Sequence, residues 1–318
     1  MAEMVFSLAV GIGLLYFGAE CLVRGSVSAA KRFGISPLFI GLTVVAMGTS
    51  LPEFFVSVMA ALSGKSDISV GNIVGSNIAN IGLVLGLSAL FSPIVVQRSL
   101  LKMDLPFQIT VSVMFLLLIS DRSLSRPEGL ILLAGFIVYF VMAFRNGTAA
   151  PVEEDEAPRP SRKPFADFML AGGGIIMLAG GSSFTVTGAE GIARMAGISE
   201  AVIGATVVAV GTSLPELFTS IVAAMRGQYD LSIGNVLGSN VFNLLGIMGV
   251  SALARPLTVN PQFASFQVPV MILFAVLLFP MILTGKKEQN IYVHILSRQE
   301  GLVLLGLYAF FVFKVYFN

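Results

Sequence analysis

Residues 35–80 read ISPLFIGLTVVAMGTSLPEFFVSVMAALSGKSDISVGNIVGSNIAN, and residues 198–243 read ISEAVIGATVVAVGTSLPELFTSIVAAMRGQYDLSIGNVLGSNVFN. The two stretches align without a gap at a constant offset of 163. Carried on to residues 90 and 253, they share 31 identities in 56 positions. A shared apolar composition explains valine against valine. It does not explain Thr49 against Thr212, Glu53 against Glu216, or Asn77 against Asn240. The chain is an internal duplication.

Around this repeat the composition is that of a membrane protein. Of 318 residues 56% are apolar and 12% charged, and the mean hydropathy is +0.90, where a soluble domain carries about a quarter charged residues. The net charge of +1 sets up no field for nucleic acid. One cysteine (Cys21) and one histidine (His294) leave no material for an intramolecular disulfide, a Cys/His zinc site or a His-based triad. A spanning helix needs roughly 20 mostly apolar residues. Ten such segments are predicted, near 4–23, 37–62, 68–95, 104–120, 128–144, 166–188, 200–225, 231–254, 267–284 and 300–317. The first has no basic stretch before it and reads as a retained helix instead of a cleaved signal peptide.

The expected fold is therefore an all-α integral membrane protein in two five-helix repeats, 1–145 and 164–318, which build one transport unit. Residues 146–163, NGTAAPVEEDEAPRPSRK, read as a solvated cytoplasmic linker; its four consecutive acids lack the spacing of an EF-hand loop. Five is odd, so successive halves enter the membrane with opposite orientation, the inverted-topology architecture that places a binding site near the midplane. With the N-terminus outside, thirteen Lys and Arg fall in cytoplasmic segments and six outside, which predicts that both termini are extracytoplasmic.

Gly48-Thr49-Ser50-Leu51-Pro52-Glu53 and Gly211-Thr212-Ser213-Leu214-Pro215-Glu216 each sit inside an apolar span. Proline lacks an N–H and opposes the carbonyl four residues back, so each span is expected to break there and to free the carbonyls of Gly48 and Gly211. In the new half-helix Glu53 and Glu216 fall in the first turn, where the dipole favours an anion. An ionised acid at the bilayer centre costs roughly 2.5–3.5 kcal/mol on insertion scales, and two such acids call for a ligand or a proton. A second polar run supplies partners. Ser76 and Asn80 lie four apart on one helical face, as do Ser239 and Asn243. Every donor is an oxygen, which suits hard cations such as Ca²⁺ and Na⁺. Two carboxylates balance one Ca²⁺ or most of several Na⁺, as an antiporter site requires.

At these motifs the chain resembles the sodium/calcium exchanger family of the cation/calcium exchanger superfamily, over nearly its whole length. The resemblance implies exchange of Na⁺ for Ca²⁺ by alternating access, with two helices sliding against the rest; the Gly-rich spans 4–23 and 166–188 are the expected sliding pair. It implies Glu53 and Glu216 as principal ligands, with Thr49, Ser50, Ser76, Asn80, Thr212, Ser213 and Ser239, and with the main-chain carbonyls of Ala46 and Ala209. Asn243 stands where some relatives carry Asp, which removes one charge and points away from a potassium requirement. Proton/calcium exchange is the alternative; its members use a different repeat core with a histidine beside the acid, whereas His294 lies outside both repeats. A cation channel is a further alternative, although this chain carries its own pseudo-symmetry instead of borrowing it from several subunits. No GxSxG, HExxH or phosphate-binding pattern argues for an enzyme. The implied partners are Na⁺, Ca²⁺ and the lipid bilayer of the cell membrane, with no organic cofactor, nucleic acid or protein partner.

Overall fold

A computed structural model describes residues 1–149, 164–198, 209–283, 287–288, 291–292 and 294–316. In chain order the helices are α1 (Ala2–Phe33), α2 (Pro37–Thr49), α3 (Leu51–Leu62), α4 (Ser66–Phe91), α5 (Leu100–Asp121) and α6 (Arg126–Ala149). They continue as α7 (Pro164–Met195), α8 (Ala209–Thr212), α9 (Leu214–Met225), α10 (Tyr229–Ala254), α11 (Phe263–Leu283) and α12 (Arg298–Tyr316). Among the described residues seven helices are long and apolar enough to cross a bilayer, and α2 with α3 forms an eighth candidate bent by 51°. The chain is thus a helical, multi-pass membrane protein. Phe6, Leu117, Ile137, Ile176 and Phe310 are exposed, as fits a molecule whose solvent is lipid.

Several boundaries differ from the sequence expectation. The first and sixth spans run on as helix to Phe33 and Met195, where loops were expected after 23 and 188. Each extension ends on a glycine with positive φ, Gly34 at 64° and Gly197 at 77°, a left-handed cap that a side chain with a Cβ rarely adopts. The α1 extension is held by an acid on the facing helix. Asp167 accepts from Ser28 Oγ at 2.8 Å and from Arg32 Nε and Nη2 at 3.0 and 2.9 Å. Helix α6 runs four residues into the expected linker, whose remainder lies outside the described residues, as does the start of the 200–225 span.

Glycine spacing explains how α1 and α7 meet. A Cβ placed on Gly11 would lie 2.8 Å from the Gly181 carbonyl oxygen, on Gly18 3.0 Å from that of Gly174, and on Gly188 2.7 Å from that of Met4. Each step of seven residues along α1 meets a step of seven backwards along α7, so the helices are antiparallel with their backbones in contact, the approach that small residues permit. These glycines obey the same offset: Gly11, Gly18 and Gly25 match Gly174, Gly181 and Gly188.

The two halves are interlocked elsewhere. Helix α6 packs on α10, with Gly129 against Gly249, and α12 packs on α4, with Gly301 against Gly86. Both outer helices open with the same motif, Ser125-Arg-Pro-Glu128 and Ser297-Arg-Gln-Glu300, in which the glutamate accepts from the serine N–H at 2.6 Å. Two short antiparallel sheets also cross between halves: β1 (Ile94–Val96) pairs with β6 (His294–Leu296), and β2 (Ser123–Leu124) with β3 (Leu257–Thr258). The remaining strands, β4 (Lys287–Glu288) and β5 (Ile291–Tyr292), pair with each other. Helices α4 and α10 are 78% and 83% buried in their most apolar windows, against 22–33% for the other full-length spans, so they form the centre of the bundle.

Gly174→Ala places a methyl 2.6 Å from the Leu22 amide nitrogen and is expected to cost about 1–3 kcal/mol by overpacking. Gly172→Ala points into open space and is expected to be neutral or slightly stabilising. Thermal unfolding midpoints of the two purified variants check the contrast.

Candidate ion-binding site

The two GTSLPE segments break as their prolines demand. Ser50 (φ −82°, ψ 12°) and Ser213 (φ −86°, ψ 6°) leave the helical geometry at matching positions. Helices α3 and α9 restart with Pro52 and Pro215 in their first turns and with Glu53 and Glu216 beside them. Across from these starts, α4 and α10 each contain a π-helical stretch, Asn80–Leu85 and Phe242–Ile247. The extra residue in a π turn shifts which side chains face inward, and such turns concentrate at functional sites.

The structure brings the predicted residues together across the two halves. Ser50 Oγ donates to Glu216 Oε1 at 2.7 Å and lies 2.9 Å from Ser239 Oγ. Reciprocally, Ser213 Oγ lies 3.2 Å from Glu53 Oε1 and 3.4 Å from Ser76 Oγ. Ser239 Oγ reaches the Ala46 carbonyl at 3.3 Å. Thr49 Oγ1 lies 3.1 Å from the Val45 carbonyl and 3.0 Å from Asn235 Oδ1. Thr212 is buried at the end of α8. Ala209 opens that helix, with its backbone alone described. Of the two carbonyls expected to be freed by proline, that of Gly211 is met by the Ser182 hydroxyl at 2.6 Å, so a neighbouring side chain supplies its donor.

The acceptors left over define the site. Among the described residues, five buried carboxyl or amide side-chain oxygens have no hydrogen-bond partner. Four of them are Glu53 Oε2, Glu216 Oε2, Asn80 Oδ1 and Asn243 Oδ1; the fifth is Gln108 Oε1 on α5. All four residues in the centre are at most 1% exposed. The two asparagines cannot turn their amides round to cure this. Asn80 Nδ2 donates to Asn240 Oδ1 at 3.0 Å and Asn243 Nδ2 to Asn77 Oδ1 at 2.9 Å. Asn77 and Asn240 in turn donate to each other's main-chain carbonyls at 3.1 and 3.3 Å. A buried acceptor without a donor costs about 1–3 kcal/mol, more when charged, so four together favour a bound cation. Among the described residues no group of three or more His, Cys, Asp or Glu side chains could hold a metal. The donor set is two acids surrounded by neutral oxygens, which fits a hard cation.

The family model for sodium/calcium exchanger protein matches residues 4–145 and 167–317. The chain belongs to the sodium/calcium exchanger family. It is 39% identical over 303 residues to "Putative antiporter CaxA" of Alkalimonas amylolytica, covering 93% of each chain. It is 34% identical to "Sodium/calcium exchanger MaX1" of Methanosarcina acetivorans, covering 98% of this chain and 97% of the relative. A solved structure of the sodium-calcium exchanger NCX_Mj, soaked with zero Na⁺ and Ca²⁺, superposes with a TM-score of 0.84 at 33% identity and 99% coverage of each chain. The family is one of cation/Ca²⁺ transporters, not of enzymes.

Four asparagines that position this family member's site were absent from the expected ligand set. Asn77 and Asn240 orient the amides of Asn243 and Asn80. Asn72 Nδ2 bonds the Glu53 carbonyl at 3.3 Å and Ser57 Oγ at 2.9 Å, and Asn235 Nδ2 does the same to Glu216 and Ser220 at the same distances. Their identity across the 163 offset was the available signal, and Asn72, Ser76 and Asn80 share one helical stripe. Asn240→Ala leaves Asn80 Nδ2 and the Asn77 carbonyl without their partners. It is expected to lower stability by about 1–3 kcal/mol and to weaken Ca²⁺-induced thermal protection, both readable by thermal unfolding with and without Ca²⁺.

Proposed function

We propose that the chain is a secondary antiporter that exchanges Na⁺ for Ca²⁺ by alternating access, with the cations bound between the two GTSLPE breaks. The observation that carries the reading is the set of four buried, donor-less oxygens on Glu53, Glu216, Asn80 and Asn243. Ser50, Ser76, Thr49, Thr212, Ser213 and Ser239, with the Ala46 and Ala209 carbonyls, complete the shell of a Ca²⁺ that takes about 6–8 oxygens. The negative charge of two acids suits one Ca²⁺ or a group of Na⁺, and either load relieves their repulsion. An empty site leaves that repulsion in place, which disfavours return without a counter-ion and so couples the two fluxes.

Ten spans in two inverted five-helix halves, 1–145 and 164–318, joined by a cytoplasmic linker at 146–163, accommodate this site. Reciprocal bonds support the arrangement, since Ser50 with Glu216 and Ser213 with Glu53 are what a two-fold relation between duplicates produces. Lys and Arg distribution supports extracytoplasmic termini in the cell membrane. Sodium is favoured over the proton as coupling ion because the one histidine, His294, sits in β6 opposite Val96, away from the acids. An amide at both Asn80 and Asn243 favours independence from potassium.

Proteoliposomes loaded with Na⁺ and diluted into Na⁺-free buffer are expected to take up radioactive calcium, while potassium-loaded vesicles do not. Uptake driven only by a pH gradient would assign the protein to proton/calcium exchange, and downhill flux without any counter-ion would make it a channel. In Glu216→Gln the uptake is expected to fall at least about 100-fold. The Ca²⁺-dependent thermal stabilisation of the wild type, about 2.7 kcal/mol at a hundred times Kd, is expected to disappear with it.

A further inference from the structure

Because the halves are duplicates, each contact between the α1–α7 pair and the remaining helices has a matching position at the 163 offset. Unequal contacts at matching positions show where the pair rests. Helix α1 packs along α9, whereas α7, the match of α1, has no comparable packing on α3, the match of α9. Two polar contacts follow the same imbalance. The Glu20 carboxylate on α1 has a side chain only 12% exposed. It accepts from Arg226, just beyond α9, through Nη2 at 2.7 Å and Nε at 3.3 Å. Ser182 on α7 donates to the Gly211 carbonyl at 2.6 Å. At the matching positions stand Ser183 and Ser63 in place of the ion pair, and Ala19 and Gly48 in place of the hydrogen bond. Serine facing serine carries no charge, and alanine offers no donor.

We propose that the Glu20–Arg226 ion pair is a one-sided latch that holds the α1–α7 pair against α9 and keeps the Arg226 end of the ion path closed. The proposal rests on the alternating-access reading above. In a chain with two identical halves the two end states would mirror each other and have equal free energy. Here the mirrored state brings Ser183 to Ser63 and Ala19 to Gly48, so it lacks both polar contacts, and the equilibrium favours the state seen in this structure.

A latch must also release. Arg24 lies one turn along the same helix, with Nη2 2.5 Å from Glu20 Oε1, and travels with Glu20 wherever α1 goes. The carboxylate therefore keeps a partner when Arg226 departs, and release does not strand an unpaired charge. The Arg226 side chain is 52% exposed and returns to solvent. With the expected topology, Arg226 faces the cytoplasm, and the favoured state is open to the outside.

The test is a distance measurement on the full chain in liposomes, with Cys21→Ser and spin labels introduced at the exposed positions Phe33 and Met225, at the ends of α1 and α9. Glu20→Gln or Arg226→Gln is expected to raise the longer-distance population roughly two- to tenfold, and the double variant no further than either single one. Ser63→Arg combined with Ser183→Glu builds the latch on the opposite side and is expected to shift the population in the same direction. Unchanged distances in the single variants, or additive shifts in the double variant, overturn the latch. The readout needs no transport, so a failure of Na⁺-driven calcium uptake would strike the proposed function and leave this result to be judged alone.

Discussion

Two carboxylate oxygens and two amide oxygens that accept no hydrogen bond stand at the centre of the bundle, and much of the surrounding structure keeps them so. An unsatisfied acceptor in a water-poor interior is costly, and side chains ordinarily rotate to escape it. Here each escape is blocked by a named contact. Asn77 and Asn240 hold the Asn243 and Asn80 amides by their nitrogens. Asn72 and Asn235 fasten the main chain at Glu53 and Glu216. Ser50 and Ser213 occupy one oxygen of each carboxylate and leave the other open. The result is a preorganised set of hard oxygen acceptors with no hydrogen-bond donor of their own.

The packing separates this rigid centre from a second body. Helices α4, α5, α6, α10, α11 and α12 share one apolar core that crosses between halves, from Ile73 and Leu85 to Leu245 and Leu304. The α1–α7 pair has its own smaller cluster, with Leu15, Leu22 and Leu178 packed against Phe39 and Val222. Within the pair the glycine contacts are backbone to backbone, while its attachment to the rest is narrower and includes the polar contacts of Glu20 and Ser182 to the second half. The α1–α7 pair thus meets the remaining helices through a cluster separate from the central core.

How much of this is legible in the sequence depends on how local the cause is. Proline acts on its own helix, so the two breaks and the placement of Glu53 and Glu216 in the first turns follow from LPE alone. Duplication is likewise a property of the string, and it marked Ser76, Asn80, Ser239 and Asn243 before any geometry was known. Yet the Gly211 carbonyl, which proline frees, turned out to be met by Ser182 on another helix, a partner 29 residues away in sequence. The roles of Asn77 and Asn240 were hidden for the same reason, since each acts on an asparagine of the opposite half.

The sequence by itself determined the membrane as solvent, the duplication, the positions of the helix breaks and the kind of atom offered to a ligand, because composition, periodicity and proline geometry are properties of one segment at a time. Only the tertiary structure decided which oxygens remain without donors, which asparagines act as props, and that the α1–α7 pair rests closer to one half than to the other. Those outcomes depend on the balance of contacts between different segments, several of them more than 130 residues apart, and identical motifs in the two halves do not foretell unequal surroundings.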